Sequence, residues 1–299
     1  MTGRFGVGTI TKRLRSNRSG ELPVTEIATN ASDYVMGHND RERHRLSAQA
    51  AILAPITEQL LRRAGVGSGM RIVDFGCGVG DVSMIAARLV GSSGQVTGID
   101  IDAAALSIAR QRALEYELPN ITFLQTNALE FRPDTPVDAT VGRHILIHTA
   151  EPLALLRMSY SLLKPGGVAV FQEYDFSVVH PPYPSAPLWE SVLGIFEEFF
   201  HQALRRPTGT QLYHLALAAG FCAVECRAEY PLDGGANSPY YEWIAESLRS
   251  ILSRAEALGV IRGAELDMDT LAERLRKEAV ANGSCLPAPA MVGCIARKP

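Results

Sequence analysis

The sequence predicts an α/β fold in which a doubly wound, mostly parallel sheet carries helices on both faces. Between residues 67 and 176, apolar runs of strand length alternate with amphipathic segments of helical period, as expected for parallel strands joined by right-handed crossovers. Glycine and proline fall at the boundaries, where turns are required. The chain has 299 residues, of which 46% are hydrophobic, so it can bury one large core with a smaller appendage.

The first predicted element is an amphipathic helix from about residue 46, with apolar residues at helical spacing through Leu60. Pro55 should kink this helix or divide it in two, because proline lacks the N–H that a helix interior needs. The elements that follow are a strand at 72–75, a helix at 83–89, a strand at 95–100, a helix at 103–117, a strand at 121–125, a strand and turn at 137–147, a helix at 150–163 and a strand at 167–173.

After residue 176 the pattern changes to two helical insertions. The first carries several prolines and a helix at 188–204, and the second carries helices at 239–258 and 269–281. Between and after them the chain returns to the sheet with a helix at 211–219 and strands at 221–230 and 290–298, which makes a Rossmann-like sheet of seven strands. We interpret the insertions as a lid over the carboxyl edge of the sheet, although ordinary helix packing is the favoured interpretation for any single one of Phe196, Phe199 and Phe200.

The chain is therefore expected to consist of consecutive segments with different roles. They are a mobile basic tail at 1–30, an N-terminal helical cap at 31–66, a ligand-binding core at 67–176, a first insertion at 177–210 that forms a substrate lid, and the rest of the core at 211–299 with a second insertion at about 238–283.

Composition favours a small-molecule partner. The net charge is −3 and the isoelectric point is near 6.2, so no general electrostatic attraction to nucleic acid is expected. No apolar run is long enough to span a membrane, and the five irregularly spaced cysteines indicate reduced thiols in a cytoplasmic protein. His144 and His148 stand four residues apart without acidic or thiol partners in register, so no metal is expected. The oligomeric state is left open, a homodimer included.

A glycine-rich turn follows the first strand. Gly76, Gly78 and Gly80 bring bare backbone to the start of the next helix, where a nucleotide-like ligand can approach closely. Asp100 ends the second strand, 20 residues after Gly80, and is placed to accept hydrogen bonds from ribose hydroxyls. The dinucleotide fingerprint is Gly-x-Gly-x-x-Gly, so the spacing here disfavours an NAD-dependent oxidoreductase.

The segment from Val73 to Gly80 resembles the first motif of class I S-adenosylmethionine-dependent methyltransferases of the small-molecule, UbiE-like type. The resemblance implies that Asp100 holds the ribose and that Ile101 lies against the adenine. It also implies that Asn127 accepts from the adenine amine, at a position where the family commonly has aspartate. The cofactor would be S-adenosylmethionine, held by Asp74, Gly76, Cys77, Gly78, Gly80, Asp100, Ile101, Asn127, Ala128 and Arg143, with Gln49 and Arg45 of the first helix reaching its carboxylate.

The catalytic residues are expected at the ends of the fourth and fifth strands. The spacing of Arg143 and His148 is similar to that in phosphoethanolamine methyltransferases, which implies that His148 is a general base and that Tyr34 closes over the methyl donor. Glu173, like Asp175, could orient an amine or hydroxyl. Each residue also has a structural interpretation. His148 could cap the following helix, Tyr34 could serve only in packing, and Glu173 could cap a loop or form an ion pair.

The sequence therefore predicts methyl transfer from S-adenosylmethionine to an oxygen or nitrogen atom of a small, partly apolar molecule, such as a secondary metabolite. The alternative is a module that binds the cofactor without transferring its methyl group.

Overall fold

A seven-stranded sheet forms the centre of the molecule. The structure is a computed structural model that describes residues 40–177, 179–204, 209–261 and 266–299. The main sheet contains β1 (Arg71–Phe75), β2 (Gln95–Asp100), β3 (Ile121–Gln125), β4 (Val137–Arg143), β5 (Leu163–Asp175), β6 (Cys222–Glu229) and β9 (Ala290–Arg297). A two-stranded sheet contains β7 (Leu232–Gly234) and β8 (Cys285–Pro287). The helices are α1 (Asp40–Arg63), α2 (Asp81–Val90), α3 (Ala103–Glu115), α4 (Pro152–Leu162), α5 (Pro187–Leu204), α6 (Leu212–Ala218), α7 (Tyr240–Ala257) and α8 (Leu271–Asn282).

The strand order in the main sheet is β3-β2-β1-β4-β5-β9-β6. The pairs from β3 to β5 are all parallel, and β9 enters antiparallel between β5 and β6. The predicted fold class, a mostly parallel, Rossmann-like sheet of seven strands, is therefore confirmed. The order reverses between β1 and β4, and open α/β sheets bind ligands outside the carboxyl ends of the strands at such a point.

The two faces of the sheet are covered by different helices. Side chains alternate along β5, so that Val168 and Val170 join an apolar cluster with α1 and α2, whereas Ala169 and Phe171 join one with α4 and α6. Because both faces are buried, the central strands are almost continuously apolar, which is typical of parallel sheets.

The two helical insertions share a third apolar core, formed by α5, α7 and α8 with β8. Trp189 is only 1% exposed, and its indole N–H donates to the Pro287 carbonyl at 3.1 Å, which ties α5 to β8. Phe196 and Phe199 are buried in the same core, which supports the packing interpretation for both side chains. The insertions are thus one packed unit, and the small sheet within it had no predicted counterpart.

The first helix and the fifth strand differ from the prediction. The first helix is continuous through Pro55, because Leu53, Leu60 and Leu61 on its apolar face are buried and hold the helix in place despite the missing N–H. β5 begins at Leu163 rather than at 167, and the N–H of Gly166 donates to the Lys298 carbonyl at 3.0 Å.

Candidate active site

The glycine turn between β1 and α2 has three glycines with different constraints, all at positive φ. A Cβ at Gly76 would lie 2.5 Å from the Ile145 side chain, and one at Gly80 would lie 3.0 Å from the Phe123 ring. At Gly78, with φ of 52°, no atom of the described residues other than Gly78 and its two chain neighbours lies within 4 Å of that position. Gly76 and Gly80 are therefore required for packing, whereas Gly78 presents bare backbone to open space.

Asp100 lies directly beside this open backbone. One carboxylate oxygen accepts from the N–H of Gly78 at 2.8 Å, and the other accepts from the N–H of Asp102 at 2.9 Å. Burial raises the pKa of Asp100, although these backbone hydrogen bonds oppose the shift. Each oxygen retains a lone pair for a further donor. The next side chain, Ile101, is 45% exposed, so an apolar surface adjoins the carboxylate.

Asp74, in β1, is a buried residue that connects the glycine turn to α2. It is 1% exposed and accepts a hydrogen bond of 2.6 Å from the Ser83 hydroxyl in the first turns of α2. Burial raises the pKa of Asp74 to about 7, while the Ser83 bond and the Arg143 charge act in the opposite direction. The N–H of Cys77 donates to the Ile99 carbonyl at 3.0 Å, and burial raises the pKa of its thiol. Asp74 and Cys77 therefore fix the turn to its neighbours.

Arg143, at the end of β4, lies between α1 and the beginning of α2. Its guanidinium donates to the Thr57 hydroxyl at 3.1 Å and lies 4.0 Å from Asp81. The Thr57 hydroxyl in turn donates to the buried Gln172 side chain at 2.7 Å. These contacts connect the N-terminal helix to the carboxyl ends of β4 and β5, a connection that the sequence pattern did not reveal.

His144 follows β4 directly and is held from two sides. The Gln49 side-chain nitrogen lies 3.2 Å from the His144 Nδ1, and the Tyr174 ring stacks on the imidazole with centroids 4.1 Å apart and planes at 16°. The donor and acceptor roles in the contact between Gln49 and His144 depend on which imidazole nitrogen carries the proton. The backbone φ of His144 is 57°, an uncommon value for a residue other than glycine.

A row of aromatic rings extends from His144 towards the insertions. Tyr174 lies 5.5 Å from Phe176, and Phe176 stacks on Phe200 at 4.3 Å with planes at 15°. From the sequence, His144 was weighed only as a metal ligand, and Tyr174 had no predicted role. The signal that could have identified both is their position, since each stands at or just beyond the carboxyl end of a central strand.

His148 ends a short 3-10 turn, Leu146–His148, and Glu173 contacts the beginning of that turn. Glu173 is 1% exposed, and its carboxyl group accepts from the Leu146 N–H at 2.8 Å. Burial raises the pKa of Glu173 to about 8 against the effect of the neighbouring backbone N–H groups. Asp175, two residues further on, accepts from the N–H of Ser177 at 2.8 Å and from that of Thr210 at 3.0 Å, so it joins the two ends of the first insertion.

The remaining predicted residues are more peripheral or are not described. Asn127 is exposed, and its side-chain oxygen accepts from the Leu129 N–H at 2.9 Å. Ala128 packs against the apolar cluster that α4 and α6 form with the sheet. Tyr34 and the Arg45 side chain lie outside the described part of the chain. Within residues 40–177, 179–204, 209–261 and 266–299, no group of three or more His, Cys, Asp or Glu side chains is arranged to hold a metal.

Comparisons with known proteins indicate the family to which the chain belongs. The family profile described as "Methyltransferase domain" matches residues 67–203. A 2-phytyl-1,4-naphthoquinone methyltransferase of Nostoc is 31% identical over 60% of this chain and 82% of the relative. The chain belongs to the methyltransferase family.

Two further comparisons give the extent of the similarity. The 2-phytyl-1,4-naphthoquinone methyltransferase of Thermosynechococcus vestitus is 38% identical over 155 residues. These residues make up 51% of this chain and 61% of that relative. The structure of Haemonchus contortus phosphoethanolamine N-methyltransferase 2, with phosphomonomethylethanolamine and S-adenosylhomocysteine, shows the same fold at 21% identity. Its TM-score is 0.53, and the match covers 82% of this chain and 52% of that one.

The glycine turn fits S-adenosylmethionine, the cofactor predicted from the first motif. The open space at Gly78, the fixed carboxylate of Asp100 and the exposed Ile101 side chain together suit a nucleoside, with ribose at the carboxylate and adenine on the apolar surface.

We predict that Gly78→Ala weakens the binding of S-adenosylhomocysteine by about tenfold or more, because the new Cβ fills the open space beside Asp100. Isothermal titration calorimetry measures the change. Gly283→Ala is the matched control, since Gly283 also has positive φ and open surroundings among the described residues but ends α8. Both variants should lose about 1–2 kcal/mol of stability from left-handed strain. Equal affinities in the two variants would contradict the site.

Glu173→Gln should remove a pH-dependent loss of stability. A carboxyl group whose pKa rises from 4.5 to about 8 on folding stabilises the protonated folded state, so stability falls as pH rises between these values. Relative to the variant, the wild type should lose up to about 1.4 kcal/mol of unfolding free energy per pH unit between about pH 5 and 8. Urea unfolding at each pH measures the difference, and a difference independent of pH would show that Glu173 is ionised in the folded state.

Proposed function

We propose that the methyltransferase transfers the methyl group of S-adenosylmethionine to a hydroxyl oxygen of a small, partly apolar acceptor with a quinol-type ring. The observation that carries the proposal is the aromatic row from His144 through Tyr174 and Phe176, which leads from the strand ends to the apolar core of the insertions. Planar aromatic side chains stack favourably on aromatic ligands. The names of the naphthoquinone methyltransferases support this acceptor class, which narrows the broader expectation of a secondary metabolite.

The proposed cofactor contacts are those predicted from the motif. Asp100 accepts from the ribose hydroxyls, and Ile101 with Asn127 and Ala128 surrounds the adenine. Arg143 ends β4, and Gln49 of α1 lies beside His144, which follows β4. The amino-acid end of the cofactor would be held at this position. The contacts of Arg143 with Thr57 and Asp81 keep its charge at that position.

Proton removal is the chemical task left to the protein. Bound S-adenosylmethionine supplies an electrophilic methyl group on a positively charged sulfur, which is already a good leaving group. The side chains must therefore align the acceptor and take its hydroxyl proton. We propose that His148 accepts the hydroxyl proton of the acceptor, because histidine is a common general base near neutral pH. Glu173 holds the turn that carries His148, and Tyr34 would close over the donor.

The acceptor in this proposal is a small molecule rather than a nucleic acid. The net charge of −3 gives no overall electrostatic attraction to the phosphates of a nucleic acid. Among the described helices, none has the length and hydrophobicity needed to cross a membrane.

Product analysis with a panel of acceptors tests the proposal. The purified enzyme with S-adenosylmethionine should methylate a reduced naphthoquinone in preference to a simple amine, and NMR of the product should place the new methyl group on oxygen. His148→Ala should lower kcat by about 100-fold or more with the cofactor Kd nearly unchanged. His214→Ala, an exposed residue of α6, is the matched control and should keep full activity.

Each contrary result has a separate meaning. A methyl group on nitrogen or on a ring carbon would contradict the oxygen assignment. Cofactor binding without turnover over the whole panel would favour a module that binds S-adenosylmethionine only, and a fully active His148→Ala variant would return His148 to a structural role.

A further inference from the structure

Two cysteines stand directly opposite each other on neighbouring strands of the main sheet. Cys226 of β6 pairs with Cys294 of β9 in the antiparallel register. Directly opposed residues of such strands share one face, and both thiols pack against the same apolar cluster below α4 and α6. The Cα atoms of opposed antiparallel residues lie about 4.5–5.5 Å apart, which is within the range of about 4.4–6.8 Å that a disulfide bond spans.

The two thiols differ in access to solvent. Cys294 is 3% exposed, whereas Cys226 is half-buried on the edge strand of the sheet. Hydrogen bonding between the thiols lowers the pKa of Cys226 and raises that of Cys294, and burial raises the latter further. Cys226 is therefore the thiol that an oxidant in solution reaches first and that forms a thiolate more readily.

The other three cysteines have different neighbours. Cys222 lies opposite Arg297 and its thiol donates to that residue's carbonyl at 3.3 Å, while Cys285 lies opposite Gly234 in the small sheet. Cys77 is buried in the glycine turn. Among the five thiols, which are all free in the structure, Cys226 and Cys294 are thus the two that the sheet register brings together.

We propose that Cys226 and Cys294 form a reversible redox-modification site that reacts with hydroperoxides. The Cys226 thiolate attacks one peroxide oxygen, which breaks the O–O bond and gives a sulfenic acid and hydroxide. The Cys294 sulfur then displaces the sulfenic hydroxyl group, forming the S–S bond. The thiols lose two electrons and two protons in all, and the hydroperoxide is reduced. With hydrogen peroxide the products are the disulfide and two molecules of water.

The proposed disulfide would act on the stability of the insertions. It closes the chain between β6 and β9, and α7 and α8 lie within that loop. Closing a loop of this length restricts the unfolded chain. The bond would lie at the β6 edge of the sheet, four strands from β2, which carries Asp100, so the affinity for the cofactor should not change.

Peroxide titration of the full-length enzyme tests the site. Limited hydrogen peroxide should reduce the thiol count from five to three and lower the mass by about 2 Da. Peptide mapping should show a bond between Cys226 and Cys294, and dithiothreitol should restore both thiols. Thermal unfolding of the oxidised enzyme should occur roughly 5 °C or more higher.

Serine variants supply the comparison. Cys226→Ser should retain its four thiols under the same treatment, whereas Cys222→Ser, on the same strand, should still form the bond and lose two. The proposal is overturned if the mapped product is a bond between molecules through Cys222 or Cys285, an irreversible sulfinic acid, or no product at all. Mapping the wild type decides this even if a variant folds poorly.

Discussion

The candidate site depends on the parallel pairing of β1, β2, β4 and β5, which brings the carboxyl ends of these strands to one edge of the sheet. That edge carries the Gly78 backbone, the Asp100 carboxylate, His144 and Tyr174. A shift of one strand by a single residue would move the side chains of that strand to the opposite face and so remove its group from this arrangement. The apolar residues that cover both faces therefore maintain the register and, with it, the geometry of the site.

Polar groups buried at this edge carry an energetic cost that hydrogen bonds reduce. Asp74 and Glu173 are almost completely buried, and each accepts one well-formed hydrogen bond, from Ser83 and from the Leu146 N–H respectively. Burial raises the pKa of Asp74 to about 7 and that of Glu173 to about 8, against the effect of these hydrogen bonds. These residues hold the glycine turn and the His148 turn rather than facing open space, so they position the groups that would contact ligands.

The features that the sequence predicted are local ones. The glycine turn, Asp100 and the seven strands depend on spacing over at most a few tens of residues, and each lies within a few residues of its predicted position. The contacts around His144 could not be predicted in this way, because Gln49 and Tyr174 approach it from α1 and β5. Their meeting depends on tertiary packing, as does the common core of the two insertions, in which residues from three separate helices meet. The continuity of α1 through Pro55 has the same origin, since tertiary packing overrides a local preference.

The most direct test of this account is a crystal structure of the enzyme with S-adenosylhomocysteine. In that complex the ribose hydroxyls are expected to donate to the Asp100 carboxylate, the adenine to lie on Ile101 and the sulfur to point towards the aromatic row at His144 and Tyr174. A nucleoside bound away from Asp100, or a sulfur directed away from the ends of β4 and β5, would contradict it.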